Sequence, residues 1–235
     1  MIDGSAGGGK LQRHQATLLV AAIASLLLWV LPGFGFILLP LQYLNTHLHE
    51  FSHALVATIT GGHASSITVR SDGSGVTSIS GGSMVLTSSA GYLGATIIGG
   101  LMILSSRSDR GAKTTLRLMA CLLLLSFVLW IRGDWVGVFS GVLWIVGLLA
   151  LPSITSGRNL VFASQFIGMQ QCLASVQALY VLLKISAYSN MQSDAENMAG
   201  YSGVPALFWA LLWGGIGLAA LFVTLRLAWR SHPAT

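Results

Sequence analysis

Residues 49–53 read His-Glu-Phe-Ser-His. Two imidazoles four positions apart fall on one face of a helix, one turn from each other, so both can reach a single metal ion. Glu50 follows the first imidazole directly and can take a proton from water polarised by that ion. Zn2+ suits such donors, draws the pKa of a bound water towards neutrality and polarises a carbonyl. The chemistry implied is hydrolysis. With six His and two Glu in 235 residues, the pattern arises by chance about once in a thousand such chains. It also sits in LQYLNTHLHEFSHALVATIT, a stretch otherwise apolar enough for a bilayer. A charged side chain at that depth is costly and marks function. The plainer alternative is a hydrogen-bonded polar cluster without metal.

A catalytic zinc takes three protein ligands and keeps one position open. The third must come from elsewhere in the chain, which has five aspartates. Asp3 is terminal, Asp72 belongs to a turn, and Asp109 lies in a basic loop on the opposite face. Asp134, in Arg132-Gly133-Asp134, and Asp194, in SNMQSDAENMAG, both return to the side of the membrane that follows the His-Glu-Phe-Ser-His helix. Each has a plainer role: Asp134 as partner of Arg132, Asp194 or Ser193 as the cap of a short helix. Topological parity does not choose between them. His47 points away from the ligand face and reads as a polar residue at a helix start. His63 reads as a solvated loop residue, and His14 and His232 as terminal ones.

The elements that must carry these groups are membrane elements. Of the residues, 54% are hydrophobic and only 8% charged, against about 25% charged in soluble proteins. Mean hydropathy is +0.75. Apolar segments occur at about 16–40, 41–60, 84–104, 118–131, 135–151, 160–185 and 205–225. Pro32 and Gly33 break the first, and Gly61-Gly62 stops the second. The third is rich in Gly, Ala and Ser, which let helices approach closely. Ser88 and Ser89 fit that packing role better than a water path. Cys121 and Cys172 read as packing residues. The start, MIDGSAGGGK, is polar and does not read as a cleavable signal peptide. The net charge of +5 does not point to nucleic acid, because the basic residues flank apolar runs and set orientation. Their cluster at 107–117 leans towards the cytoplasmic side.

Residues 63–82 differ from the rest. Ile67 to Arg70 and Val76 to Ile79 are β-branched and roughly alternating, with Asp72-Gly73 and Gly75 between them. This predicts a β-hairpin. The fold class is therefore an all-α polytopic membrane protein of six or seven transmembrane helices, with a small β-hairpin after the HExxH helix. A short tail (1–15) precedes a single membrane-embedded domain (16–230).

These residues resemble the site-2 protease family of intramembrane zinc metallopeptidases. HEFSHALVATITGG, DGSGVT, SAGYLG and SDAENMAGYSGVPALFW resemble in particular its site-2-protease-like branch of bacteria and plants, over roughly residues 40–215. The resemblance implies His49 and His53 as zinc ligands, Glu50 as general base, and a later aspartate as third ligand. The family's usual Asn-Pro-Asp-Gly or Leu-Asp-Gly motif is missing. Ser193-Asp194-Ala195 fits the closer branch and favours Asp194, with Asp134 as the alternative. The implied activity is intramembrane endopeptidase cleavage of a transmembrane protein substrate in the lipid bilayer, the cell inner membrane if the source is bacterial. A catalytically inactive homologue that binds or regulates is the alternative, since the usual aspartate motif is absent. A transporter is disfavoured by the lack of paired polar spans or internal repeats. A substrate helix must unwind before it is cut, and its freed amides need partners in a dry environment. An edge strand of the hairpin could supply them, with Thr68, Val69 and Arg70 the expected substrate-binding residues and Val76 to Ser78 further candidates.

Overall fold

The computed structural model describes residues 12–31, 33, 35–132, 134–185 and 193–230. Most of the expected tail, and residues 186–192 of the polar stretch before the last apolar segment, lie outside these. In chain order the elements are α1 (Arg13–Val30), α2 (Gly35–Ile59), β1 (His63–Val69), β2 (Gly75–Ser80), α3 (Met84–Ser105), α4 (Asp109–Leu129), α5 (Trp135–Ile154), α6 (Gly157–Ile185), α7 (Asp194–Ser202) and α8 (Ala206–Trp229). The polytopic helical class and the hairpin are as expected.

Helices α3, α4, α5 and α8 are long and apolar enough to cross a membrane. Helices α1 and α2 meet at 111° and add a fifth span if the bent pair counts as one. Large apolar side chains such as Leu118, Phe139 and Phe222 are exposed along these helices, where acyl chains would surround them. The protein is thus an integral membrane protein, with four or five such spans among the described residues. Helix α6 is 29 residues long, but Ser164, Gln165, Gln170 and Gln171 on it are buried.

Two boundaries differ from the sequence reading. Helix α2 starts at Gly35 and runs through Pro40. The Pro40 carbonyl accepts the Trp144 indole N–H at 2.8 Å, which ties α5 to α2. The basic loop expected at 107–117 is mostly the start of α4. Ser108 caps that helix by accepting from the Gly111 N–H at 3.1 Å. Asp109 complements the helix dipole in the first turn and pairs with Lys113 at 2.8 Å, one turn on. Polar composition resembles a loop there, but capping and charge order specify a helix.

Lipid tails are as apolar as leucine, so close packing rather than water exclusion joins helices in a bilayer. Glycines make that packing possible between α3 and α6. A Cβ on Gly168 would come 2.7 Å from the Gly99 carbonyl oxygen, and one on Gly99 would come 2.8 Å from the Gln171 Cβ. The main core joins α2, α3, α4, α5 and α6 through Leu44, Leu48, Met102, Leu116, Leu123, Leu148 and Leu160.

Strands β1 and β2 pair antiparallel, with Ile67 opposite Thr77 and Thr68 opposite Val76. The hairpin lies along α2. Tyr43 donates to the Ser71 carbonyl at 2.8 Å and Thr46 to the Gly73 carbonyl at 2.6 Å. In the turn, hydrogen bonds from Ser74 to Asp72 hold its carboxyl below the usual carboxylate range. Beneath the strands, Ile67 and Val69 are buried with Phe51, Trp130 and Ile131.

Strand β1 is the inner strand. The Ile67 N–H donates to the Trp130 carbonyl at 2.7 Å, and the Arg132 N–H donates to the Ile67 carbonyl at 3.1 Å. Val69 packs against Gly137 of α5, and the Arg70 N–H bonds to Ser74 within the turn. Thr68, Val69 and Arg70 therefore do not form the open edge the sequence suggested. Ile67 directs its backbone groups away from β2, so its partner Thr77 directs its own away from β1. The open edge belongs to β2.

Gly99→Val should force α3 and α6 apart and cost about 1–3 kcal/mol. Thermal unfolding in detergent checks this; an unchanged midpoint would show that this contact does not set the helix spacing.

Candidate metal centre

The α-helical period turns His49 and His53 of α2 to one side. Their Nε2 atoms lie 3.0 Å apart. Asp194 Oδ2 lies 3.0 Å from His49 Nε2 and 3.2 Å from His53 Nε2. Among the described residues, these three form the one group with metal-ligand donor types. The side chains of His53 and His49 are 7% and 15% exposed and that of Asp194 is 19% exposed, so the cluster is largely enclosed but still open on one side.

Each donor is oriented by a neighbour. His53 Nδ1 lies 2.6 Å from the Thr87 carbonyl in the first turn of α3. A carbonyl only accepts, so Nδ1 carries a hydrogen, and in the neutral ring Nε2 then keeps its lone pair. Tyr92 packs edge-on against His49 with ring centroids 4.6 Å apart, and stacks on Trp213 of α8 at 5.7 Å. The Trp213 indole N–H donates to Ser89 Oγ at 3.0 Å. Gly91 makes the room: a Cβ there would overlap both imidazoles.

Asp194 is the first residue of α7. Ser193 is the cap, accepting from the Glu196 N–H at 3.2 Å, which leaves the Asp194 carboxylate free to face the imidazoles. A nine-residue helix is too short to persist alone. Ala195 and Met198 hold it by burial against Ala210 and Trp213. Gly203, at φ 72, ends it in the left-handed conformation that glycine tolerates best.

Asp134 does not join the cluster. It caps α5, accepting from the Val136 N–H at 2.9 Å. The expected pair with Arg132 is also absent among the described residues; the Arg132 guanidinium donates to the carbonyls of Phe127, Val128, Leu129 and Ile131. His47 is not at a helix start but buried in the middle of α2, 3.0 Å from Ser140 of α5. His63 opens β1 and is exposed. The Glu50 carboxylate meets the hairpin, where Thr77 Oγ1 donates to its Oε2 at 2.6 Å.

A scan against protein families matches the Peptidase M50B-like family over residues 18–224. The chain belongs to the Peptidase M50B-like family. This is the site-2 protease family of membrane-embedded metallopeptidases. No curated protein and no solved structure matches the chain. The matched region takes in His49, Glu50, His53, the hairpin and Asp194.

The donor set fits the zinc that M50-type peptidases carry. Two imidazole nitrogens and a carboxylate oxygen are zinc ligand types. The His53 and Asp194 donor atoms that face each other offer lone pairs, which repel unless a cation or proton lies between them. Sequence reasoning missed Tyr92 and Trp213 and the roles of Thr77, Thr87 and Gly91; Thr77 was reached only as part of the Val76 to Ser78 strand candidates. Only the small residues of SAGYLG hinted at a close approach.

Proposed function

We propose that this M50B-like protein is an intramembrane zinc endopeptidase that cuts a membrane-spanning protein substrate. The observation that supports this reading best is the convergence of His49 Nε2, His53 Nε2 and Asp194 Oδ2 within 3.2 Å of one another. These three residues would hold the ion, which supplies Lewis acidity to water and to the scissile carbonyl.

The remaining work falls to the chain. Glu50, 5% exposed, accepts the proton of the attacking water and then delivers it to the departing amine, as a general base and acid. Thr87 holds His53 in the tautomer that presents a lone pair. Tyr92 and Gly91 fix the imidazole positions. The open edge of β2 takes the unwound substrate: backbone groups at Thr77 point outward, so an extended segment pairs there as an added strand, next to Glu50. Pairing satisfies the amides that unwinding frees at membrane depth.

Purified protein should carry about one zinc ion per chain. Asp194→Asn should lose most of it by elemental analysis. Asp134→Asn should keep it, since asparagine caps a helix as well as aspartate; equal zinc in both variants would remove Asp194 from the site. Glu50→Gln should retain zinc while cleavage of a membrane substrate falls by about 100- to 10,000-fold. An unchanged rate would point instead to an inactive homologue that binds or regulates.

The edge reading has its own check. In a synthetic single-span peptide, methylating alternate backbone nitrogens of the cut segment should slow cleavage, and methylating the intervening ones should not. Rates without that two-residue alternation, followed by mass spectrometry, would rule out strand pairing.

A further inference from the structure

Helix α2 alone does not hold the Glu50 carboxylate in place. Thr77 Oγ1 lies 2.6 Å from Oε2 and 3.1 Å from the Glu50 main-chain oxygen. Two residues earlier, β2 passes so close that a Cβ on Gly75 would come 2.6 Å from Glu50 Oε1, 2.7 Å from its Cγ and 2.6 Å from Thr46 Cγ2. Residues 75 and 77 share one face of the strand. That face confines both carboxylate oxygens, one by a hydrogen bond and one by contact. We infer that Thr77 is a positioning residue for Glu50, so that strand β2 places the base; this rests on the reading of Glu50 as the base.

The chemistry of the pair favours this role. A hydroxyl donating to a carboxylate makes a charge-assisted bond, stronger and shorter than a neutral one. A glutamate side chain has several rotamers, and one strong donor selects among them. Thr77 has two faces of use: its side chain holds Glu50, and its backbone points along the open edge where a substrate strand would pair. A substrate strand seated on β2 is thereby registered against the same residue that places the base. Gly75 belongs to the device because any larger residue would push Glu50 away.

The test uses the full-length protein, with a fluorescent single-span peptide as probe. Thr77→Val keeps the shape and the β-branching and removes only the hydroxyl; Thr77→Ser restores it. Zinc content and KM should stay at wild-type values in both. The kcat of Thr77→Val should fall about 10- to 100-fold, the range for losing a hydrogen bond to a charged group, and Thr77→Ser should recover most of it. Wild-type kcat in Thr77→Val, or equal losses in Val and Ser, would overturn the proposal. A second readout does not need activity. Glu196 is the other of the two glutamates, so ¹³C-glutamate labelling in a Glu196→Gln background reports Glu50 alone by infrared. Its carboxylate band should shift in Thr77→Val and not in Thr77→Ser; an unshifted band overturns the contact. A wild type without zinc, or a Glu50→Gln variant that still cleaves, would instead sink the hydrolase reading and leave the infrared result to decide the Thr77 contact.

Discussion

Two imidazoles and a carboxylate turned towards one point at membrane depth cannot all offer lone pairs there unprovided. Either a cation or shared protons join them, or the cluster springs apart, because a low-dielectric surrounding strengthens repulsion as much as attraction. The neighbouring structure serves that convergence. The helical period of α2 sets the imidazoles side by side. Thr87 fixes the tautomer of one, and the ring of Tyr92 backs the other. The absence of a side chain at Gly91 lets α3 come close enough to do both.

The short helix α7 illustrates how weak local preference is made into precise placement. Its nine residues have little intrinsic helicity, but Ser193 caps it, Gly203 ends it, and Ala195 and Met198 dock on α8. Because Ser193 takes the capping bond, Asp194 is left for the cluster. The same residue type at the start of α5, Asp134, spends its carboxylate on capping. Two aspartates at helix starts thus sit differently, Asp134 as the cap itself and Asp194 one residue after a serine that caps in its place.

The hairpin follows a related logic. A two-stranded sheet is marginal by itself. Here it is secured by burial of Ile67 and Val69 against Phe51 and Trp130, and by main-chain bonds from Ile67 to the 130–132 segment. Those bonds use up the outer edge of β1 and leave β2 as the side open to pairing. The match to the M50B-like family runs over residues 18–224 and so takes in both the hairpin and the His-His-Asp cluster.

Several features were legible in the sequence because they are local. The paired histidines and Glu50 depend only on the period of one helix, the membrane class on composition, and the hairpin on alternation and Asp-Gly. The start of α4 was less legible, since a charged helical turn and a loop share a composition until Ser108 and the Asp109–Lys113 pair are seen in place. The third member of the cluster was legible only through the resemblance, which favoured Asp194 over Asp134. Asp194 is 145 residues from His49, Asp134 returns to the same side of the membrane, and chain order treats them alike. Only the docking of α7 on α8, a matter of side-chain shape between distant segments, brought Asp194 to the imidazoles. Which strand edge stays open was likewise decided by a segment some sixty residues downstream of β1, and the hold of Thr77 on Glu50 by the register of the hairpin on α2.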